Sequence, residues 1–418
     1  MALLMTKSDE YIFANRLRRV EDVALELSSR TDLDTPYVLR QIEGWQRLRH
    51  KVPRWAETPG IIFPPRIALE QCSGAGAAAY KAGIARRLLP PGERDSMIDL
   101  TGGMGVDFSC LAPLFARAVY VERQAEIAAT ARRNLPLLGI HHAACHLGDG
   151  IDLLQSQPEE VFSLIYLDPA RRNAHGGKTV LMEECEPDIA AHLGLLLQRG
   201  HIVMAKLSPM LDISRAMALL DSRHRGCVRE VHVYAEGGEC KDLVLVLDGR
   251  ECCPEPRIFC TEGSRGFSFL PSEEAGAACP MASTLDEYLY EPGPAVLKAG
   301  AFRSVGQRYG LQKLHPNSHL YTSGACREDF PGRVFRLTEV YSFSKADLRR
   351  LSADLCAASA AAGRKSAHPA ANLAVRNFPE SVATLRARLK IREGGGHYLF
   401  ATTCADGSKC LILCRAVG

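Results

Sequence analysis

The sequence lacks any apolar run that approaches the roughly 18 residues of a membrane-spanning helix, so a membrane protein is not expected. It also lacks a secretory signal, because charged residues interrupt the N-terminal stretch MALLMTKSDEYIFANR too early. The 15 cysteines are scattered and odd in number, which favours reduced thiols over a disulfide framework. Together these features predict a cytoplasmic protein.

Metal-ligand spacing is lacking as well. No two cysteines form a C-x-x-C pair: Cys252 and Cys253 are adjacent, and Cys404, Cys410 and Cys414 are spaced more widely. We therefore expect no metal site. No internal repeat or low-complexity tract stands out either.

A length of 418 residues implies two or three domains, and a hydrophobic content of 46% allows large cores.

The net charge of the chain is small but unevenly distributed. Residues 291–418 hold 19 Lys and Arg against 9 Asp and Glu, so this region carries +10 and residues 1–290 carry −7. The basic region is consistent with a docking surface for a polyanion or, equally, with a solvated domain of modest positive charge.

The segment MIDLTGGMGVD, residues 97–107, joins an apolar strand to a glycine-rich turn and then to a helix. Phe108 stands where a dinucleotide motif requires its third glycine, so NAD is disfavoured. The spacing instead resembles the acidic-x-G-x-G-x-G signature of class I S-adenosylmethionine (SAM) methyltransferases, with Asp99 as the acid and Thr101 in place of the first glycine. Three glycines remove side chains that would keep a ligand from backbone N–H groups: Gly102, Gly103 and Gly105.

Acidic residues follow the next two predicted strands. Residues 118–121 lead into Glu122, which is placed to bind a ribose hydroxyl pair; alternatively, it is a solvated acid at the start of a helix. Residues 142–147 lead into Asp149, where SAM methyltransferases commonly carry an acceptor for the adenine amino group. A turn aspartate or helix cap is the other reading of Asp149.

The predicted reaction centre follows the apolar run FSLIYL, residues 162–167, which is typical of a strand buried in a parallel sheet. The run leads into Asp168 and Pro169. This placement resembles the D-P-P or N-P-P motif of methyltransferases that act on exocyclic amines of nucleobases.

The chain departs from that motif at two positions. Ala170 replaces the second proline, and Arg171 replaces the aromatic residue that stacks on a flipped base. We expect Arg171 and Arg172 to stack on a base or clamp a phosphate, unless they form an exposed surface pair.

Three more predicted strands complete the sheet. Residues 201–207 deliver Lys206, which either contacts a substrate phosphate or extends its ammonium to solvent. Residues 228–235 and 241–247 predict an antiparallel hairpin. The fold class is therefore α/β, with a doubly wound seven-stranded sheet that ends in this hairpin.

Four regions are predicted along the chain: a helical domain at 1–62, the α/β domain at 63–250, a connection at 251–290 and a basic α+β region at 291–418. Gln71 and Ser73 precede the first strand and either contact the cofactor or cap and pack a helix. A helix is expected to start at Pro379. The last region has the size of an RNA-binding module or of a small dimerisation domain.

Several segments together resemble bacterial class I SAM-dependent methyltransferases with a C-terminal THUMP-like domain: PRWAETPGIIFPPRIALEQCS, DLTGGMGVDFS, YVERQ, LDPARR, KLSPMLD, ECKDLVLVL, RNFP and YLFATT. The resemblance implies a Rossmann-like core, SAM as the cofactor and a THUMP-like, ferredoxin-like C-terminal region. THUMP domains present RNA to modification enzymes, so RNA is the partner that the resemblance implies.

The predicted function is SAM-dependent methylation of a nucleobase in tRNA or rRNA, with Asp168 positioning the acceptor. Methylation of a protein or small molecule, or a non-catalytic SAM-binding or RNA-binding scaffold, are the alternatives. A covalent pyrimidine mechanism requires a thiolate near the methyl group, and Cys240 in the hairpin is the one candidate.

Overall fold

The computed structural model of the chain describes residues 6–171, 181–361 and 368–417. Its internal contacts divide the chain into two units. We call Met1–Val231 with Lys241–Glu255 the N-terminal unit, and His232–Cys240 with Pro256–Gly418 the C-terminal unit. None of the helices in the described ranges combines the length and apolar content that a membrane crossing needs.

Helices open the N-terminal unit and then alternate with strands. The described helices are α1 (Lys7–Asn15), α2 (Val20–Leu27), α3 (Thr35–Lys51), α4 (Pro53–Glu57), α5 (Arg66–Gln71), α6 (Ala75–Leu88), α7 (Val106–Leu111), α8 (Ala125–Leu137), α9 (Gly150–Ser156), α10 (Leu193–Arg199) and α11 (Ile213–Arg223). Apolar side chains of α2 and α3, such as Val23 and Ile42, form a small core of their own. Trp55 of α4 belongs instead to the main core of the unit, which includes sheet residues.

The strands of this unit are β1 (Ser96–Asp99), β2 (Arg117–Glu122), β3 (Ala143–Leu147), β4 (Phe162–Leu167), β5 (Ala170–Arg171), β6 (Cys185–Glu186), β7 (Gly200–Leu207), β8 (Val228–Glu236) and β9 (Glu239–Leu247). Seven of them are ordered β3-β2-β1-β4-β7-β9-β8, and β5 pairs with β6 separately. Strands β3, β2, β1, β4 and β7 are parallel, whereas β9 runs antiparallel to β7. The predicted α/β fold class, with an antiparallel hairpin beside β7, is confirmed. The expected count of seven strands is wrong, because two later strands continue the sheet beyond β8 to nine strands in all.

Burial explains why β1 and β4 lie at the centre of the sheet. Every residue of both strands is buried, as expected for apolar runs in a sheet that is covered on both faces. Ile98 pairs with Val119 on one side and with Ile165 on the other. Because the strands are parallel, the residues that follow β1, β2 and β4 meet at one edge of the sheet.

The C-terminal unit contains the tip of the β8–β9 hairpin and a second sheet of seven strands. Its other strands are β10 (Arg257–Glu262), β11 (Arg265–Phe269), β12 (Tyr288–Pro292), β13 (Gln312–Lys313), β14 (Tyr321–Ser323), β15 (Gly332–Ser342), β16 (Asn372–Arg376), β17 (Tyr398–Thr403) and β18 (Lys409–Ala416). Its described helices are α12 (Pro271–Gly276), α13 (Pro294–Ala299), α14 (Ser304–Tyr309), α15 (Lys345–Ala361) and α16 (Val382–Leu389). The seven-stranded sheet is ordered β13-β14-β12-β15-β18-β17-β16.

Alternating side chains of β17 and β18 enter two separate cores. Leu399 and Leu411 belong to a cluster with residues of α15 and α16. Phe400 and Ile412 belong to a second cluster, as expected when successive side chains point to opposite faces of a sheet. This arrangement confirms the expected α+β region with a closing hairpin.

Two local expectations are wrong. Residues 251–290 are not simply irregular, because β10 and β11 form an antiparallel hairpin there. The helix expected to start at Pro379 begins at Val382, because the Ser381 hydroxyl accepts a hydrogen bond from the backbone N–H of Thr384 and so caps it. Composition alone revealed neither the turn that joins β10 to β11 nor the helix cap at Ser381.

Two interior helix glycines give a matched test of the packing. A Cβ at Gly44 in α3 would lie 2.3 Å from Cβ of Phe63, whereas a Cβ at Gly83 in α6 meets nothing within 4 Å. We expect Gly44→Ala to lower the free energy of unfolding by about 1–3 kcal/mol through overpacking. Gly83→Ala should leave it unchanged or raise it by up to about 1 kcal/mol. Urea unfolding of both variants measures the difference, and equal stabilities would contradict the packing described for Gly44.

Candidate active site

Three positions of the turn between β1 and α7 favour glycine, two because of their backbone conformation and one because of crowding. Gly103 has φ +53° and Gly105, which precedes α7, has φ +90°, and both values lie in the left-handed region that disfavours side chains. A Cβ at Gly102 would lie 2.1 Å from the Tyr120 ring. The Tyr120 hydroxyl donates to the carbonyl of Gly103. The turn therefore stays tight against β2.

Side chains from neighbouring strands hold the turn in place. The backbone N–H of Gly103 donates to Oε2 of Glu122 at 2.9 Å, and the N–H of Gln124 donates to Oε1 at 2.7 Å. The N–H of Asp168 donates to Oγ1 of Thr101 at 2.6 Å. The ends of β1, β2 and β4 are thus joined by hydrogen bonds in one constellation.

A cavity of about 400 Å³ lies at this edge of the sheet, within the size range of ligand pockets. The following residues chosen from the sequence line it: Gln71, Ser73, Asp99, Thr101, Gly102, Gly103, Gly105, Glu122, Asp149 and Asp168. Pro169 follows Asp168 in the chain; it is buried and is not among the residues that line the cavity. The structure therefore brings together all seven predicted cofactor residues at one cavity.

The acids of the cavity differ in their surroundings. Asp99 is buried, and desolvation raises its pKa well above the usual range, although the N–H of Thr101 donates to it at 3.0 Å. Oδ1 of Asp149 accepts from the N–H groups of Ile151 and Asp152, so it caps α9. Oδ2 of Asp149 lies 3.2 Å from Nε of Arg123. Asp149 is therefore a helix cap that also faces the cavity.

Lys206 pairs with Asp168 instead of extending to solvent. Its Nζ donates to Oδ2 of Asp168 at 2.5 Å, and its side chain is 13% exposed. Burial raises the pKa of Asp168, and Lys206 partly offsets that effect. The pKa of Lys206 is raised because nearby carboxylates, Asp168 first, outweigh its burial. The snorkelling alternative for Lys206 is wrong, and its ammonium is engaged within the chain.

Beneath the turn lies a buried network that the sequence did not predict. The ammonium of Lys81, a fully buried side chain, lies 3.1 Å from Oδ1 of Asp107 and also pairs with Asp242. The hydroxyls of Ser73 and Tyr166 both donate to Oδ2 of Asp107 at 2.8 Å. Burial alone would raise the pKa of Asp107, but the cations of Lys81 and Lys206 hold it below its usual value. Only the position of Asp107 in the first turn of α7 hinted at a role.

Three other residues were named from the sequence. Arg171 is in β5, where its backbone pairs with Cys185, and Arg172 lies outside the described residues. Cys240 belongs to the C-terminal unit; its thiol donates to the carbonyl of Pro294 at 3.2 Å, and burial raises its pKa. In the described ranges no group of three His, Cys, Asp or Glu side chains is placed to hold a metal ion.

The sheet combines parallel strands with an antiparallel hairpin, and its glycine turn faces a cavity lined by acids. This is the architecture of class I SAM-dependent methyltransferases. A candidate methyltransferase from Porphyromonas gingivalis W83 has a crystal structure that matches the chain with a TM-score of 0.83 and 35% identity, over 98% of this chain and 97% of that one. An uncharacterized SAM-dependent methyltransferase of Mycobacterium tuberculosis strain CDC 1551 is 28% identical over 337 residues, or 78% of this chain and 80% of the relative.

Family comparisons assign the C-terminal region in two parts. Residues 288–331 match a family described as a ferredoxin-like domain, and residues 332–416 match one described as THUMP domain-like. The chain belongs to the family of SAM-dependent methyltransferases that carry such a C-terminal region. The enzyme class, the cofactor and the resemblance inferred from the sequence are confirmed.

The buried ion network predicts a large stability effect. Lys81→Met would leave the carboxylates of Asp107 and Asp242 without their cation, which costs about 3 kcal/mol or more of unfolding free energy. Arg66→Met is the control, because its partner Glu70 forms an exposed pair that should contribute little. Chemical denaturation compares the two midpoints. Similar midpoints for both variants would show that Lys81 does not support the fold in this way.

Proposed function

We propose that this protein methylates a nucleobase in RNA, in tRNA or rRNA, and that Asp168 positions the acceptor group. The observation that carries the proposal is the place of Asp168. It lines the same cavity as the glycine turn, and its backbone N–H donates to Thr101 in that turn. An acceptor bound by Asp168 therefore lies beside the group held by the turn.

The residues of the cavity fit SAM by their chemistry. The glycines of the turn present no side chains to the cavity, and acids are the natural acceptors for an ammonium, a ribose hydroxyl pair and an exocyclic amine. We assign Asp99, Gly103 and Gly105 to the amino acid end, Glu122 to the ribose and Asp149 to the adenine. Thr101 and Gly102 shape the turn. When bound, SAM supplies an electrophilic methyl group on its sulfonium sulfur.

The protein contributes orientation and charge to the transfer. The Asp168 carboxylate is one-third exposed, so an acceptor amine can donate to it while Lys206 occupies its other side. Lys206 favours the ionised carboxylate, which is the form that accepts a hydrogen bond from the amine. Pro169 restricts the backbone that carries Asp168. In-line attack on the methyl group then needs little more than proximity.

The C-terminal unit supports RNA as the acceptor. Residues 332–416 are THUMP domain-like, and residues 291–418 carry +10. Part of this charge is neutralised locally, as by Arg336 with Glu287 at 2.7 Å. Lys345 and Arg349 on α15 are exposed, and they form no ion pair within the described residues. Such cations are what a polyanion requires. Arg171 and Arg172, which follow Asp168 closely in the sequence, stay predicted substrate contacts.

The first test of the proposal is methyl transfer from labelled SAM to total RNA of a strain that lacks this protein. We expect wild type to label one nucleoside after digestion. Asp168→Asn should lower the rate by about 100-fold or more, because the neutral amide stabilises the positive charge that develops on the attacking amine less strongly than the carboxylate does, yet should retain SAM binding by calorimetry. Asp152→Asn, an exposed acid in α9, is the matched control and should keep full activity.

Other results would redirect the assignment. Label that appears only in protein or in small molecules would exclude RNA as the acceptor and leave the methyltransferase intact. No transfer to any fraction from a preparation that binds SAM would favour a scaffold. Full activity in Asp168→Asn would exclude the role given to Asp168.

Lys206 should control the pH dependence of the same reaction. Burial raises the pKa of Asp168 and Lys206 opposes that rise, so activity should be present above this pKa and lost as pH falls through it. Lys206→Met removes the opposing cation, and the acidic limb of the kcat/KM profile should move to higher pH. Lys206→Arg keeps the charge and should move it less. An unchanged limb in Lys206→Met would mean that another group governs the profile.

A further inference from the structure

Two thiols of the C-terminal unit lie in direct contact across a hairpin. The sulfur atoms of Cys404 and Cys410 are 3.4 Å apart. Cys410 belongs to β18, and Cys404 follows β17 directly, where its N–H donates to the carbonyl of Ser408 at 2.8 Å. The register pairs Thr403 with Lys409, so the two cysteines are diagonal neighbours. Their contact is fixed by the hairpin itself.

The two thiols differ in exposure and acidity. Cys404 is half-buried beside an exposed turn, whereas Cys410 is buried. The pKa of Cys404 is lowered to about 7, chiefly because the Cys410 thiol donates to it, and Ser408 adds a smaller effect. The pKa of Cys410 is raised for the same reason. Since a thiolate is the nucleophilic form of cysteine, Cys404 is the attacking member of the pair.

We propose that Cys404 and Cys410 form a site of reversible oxidation, at which a hydroperoxide converts the dithiol to an intrachain disulfide. The Cys404 thiolate attacks the terminal peroxide oxygen; an S–O bond forms, the O–O bond breaks and the alkoxide or hydroxide leaves as alcohol or water after taking up a proton. Cys410 then attacks the sulfenic acid sulfur, the S–S bond forms and water leaves. Two electrons pass from the thiols to the peroxide, and a thiol reductant reverses the change.

The hairpin permits this bond with a small movement. The sulfurs must approach from 3.4 Å to about 2.05 Å. The connecting residues 405–408 are exposed, and Gly407 has φ +83°, so the turn can adjust without disturbing a packed core. Cys410 does not leave its strand. The closed ring spans only residues 404–410.

Tryptic mapping tests the proposal directly, because Lys409 lies between the two cysteines. The full-length protein is treated with hydrogen peroxide, remaining thiols are alkylated, and the protein is digested without reductant. We expect peptides 393–409 and 410–415 to appear joined, two hydrogens lighter than their sum, and to separate on reduction. Before oxidation, Cys404 should be alkylated at pH 7 about tenfold faster than the exposed thiol of Cys356.

Two variants identify the partner, because peptide 410–415 also contains Cys414. Cys410→Ser should abolish the joined species, whereas Cys414→Ser should keep it. Fragment ions of the wild-type species assign the linked residue independently, so a variant that fails to fold leaves the test decisive. The proposal is overturned if peroxide oxidises Cys356 while Cys404 and Cys410 remain alkylatable, or if the link joins Cys414. Neither readout depends on methyl transfer.

Discussion

The fully buried ammonium of Lys81 is the contact on which the rest of the N-terminal unit depends. It lies on α6 and pairs with Asp107 at the start of α7 and with Asp242 on β9. Removing one partner of a buried charge costs about 3–5 kcal/mol, so each of the three groups depends on the other two. The helix α7 begins at the glycine turn. Lys81 therefore couples the position of that turn to β9, the hairpin strand next to β7.

A second constraint links the turn to the reaction centre. Thr101 accepts from the N–H of Asp168, and Glu122 accepts from the N–H of Gly103. The same residues that shape the cavity therefore also fix the chain that carries Asp168, the proposed acceptor-binding residue. The hydroxyls of Ser73 and Tyr166 extend these contacts to Asp107. The glycine turn and Asp168 thus belong to one hydrogen-bonded framework.

The sequence predicted what depends on local patterns. Apolar runs located the central strands, and each acid at a strand end, such as Glu122 and Asp168, was placed at the correct edge because parallel strands must end together. The pairing of Lys81 with Asp242 could not be found in this way, since 161 residues separate them and a lysine in a helix is normally exposed. The role of Lys206 was missed for the same reason. Its partner is set by the neighbouring strand, not by its own segment.

The distribution of charge in the cavity bears on which ligands it can hold. Asp99, Glu122, Asp149 and Asp168 line it, whereas the nearby cations, Lys81, Arg123 and Lys206, are all already engaged by carboxylates. Desolvation raises the pKa of Asp99, which means that no partner offsets the free-energy cost of burying its ionised form. A cationic ligand would supply that partner. A SAM molecule carries an ammonium and a sulfonium, and methyl transfer removes the sulfonium charge, so an acidic cavity of this kind holds the donor more strongly than the demethylated product.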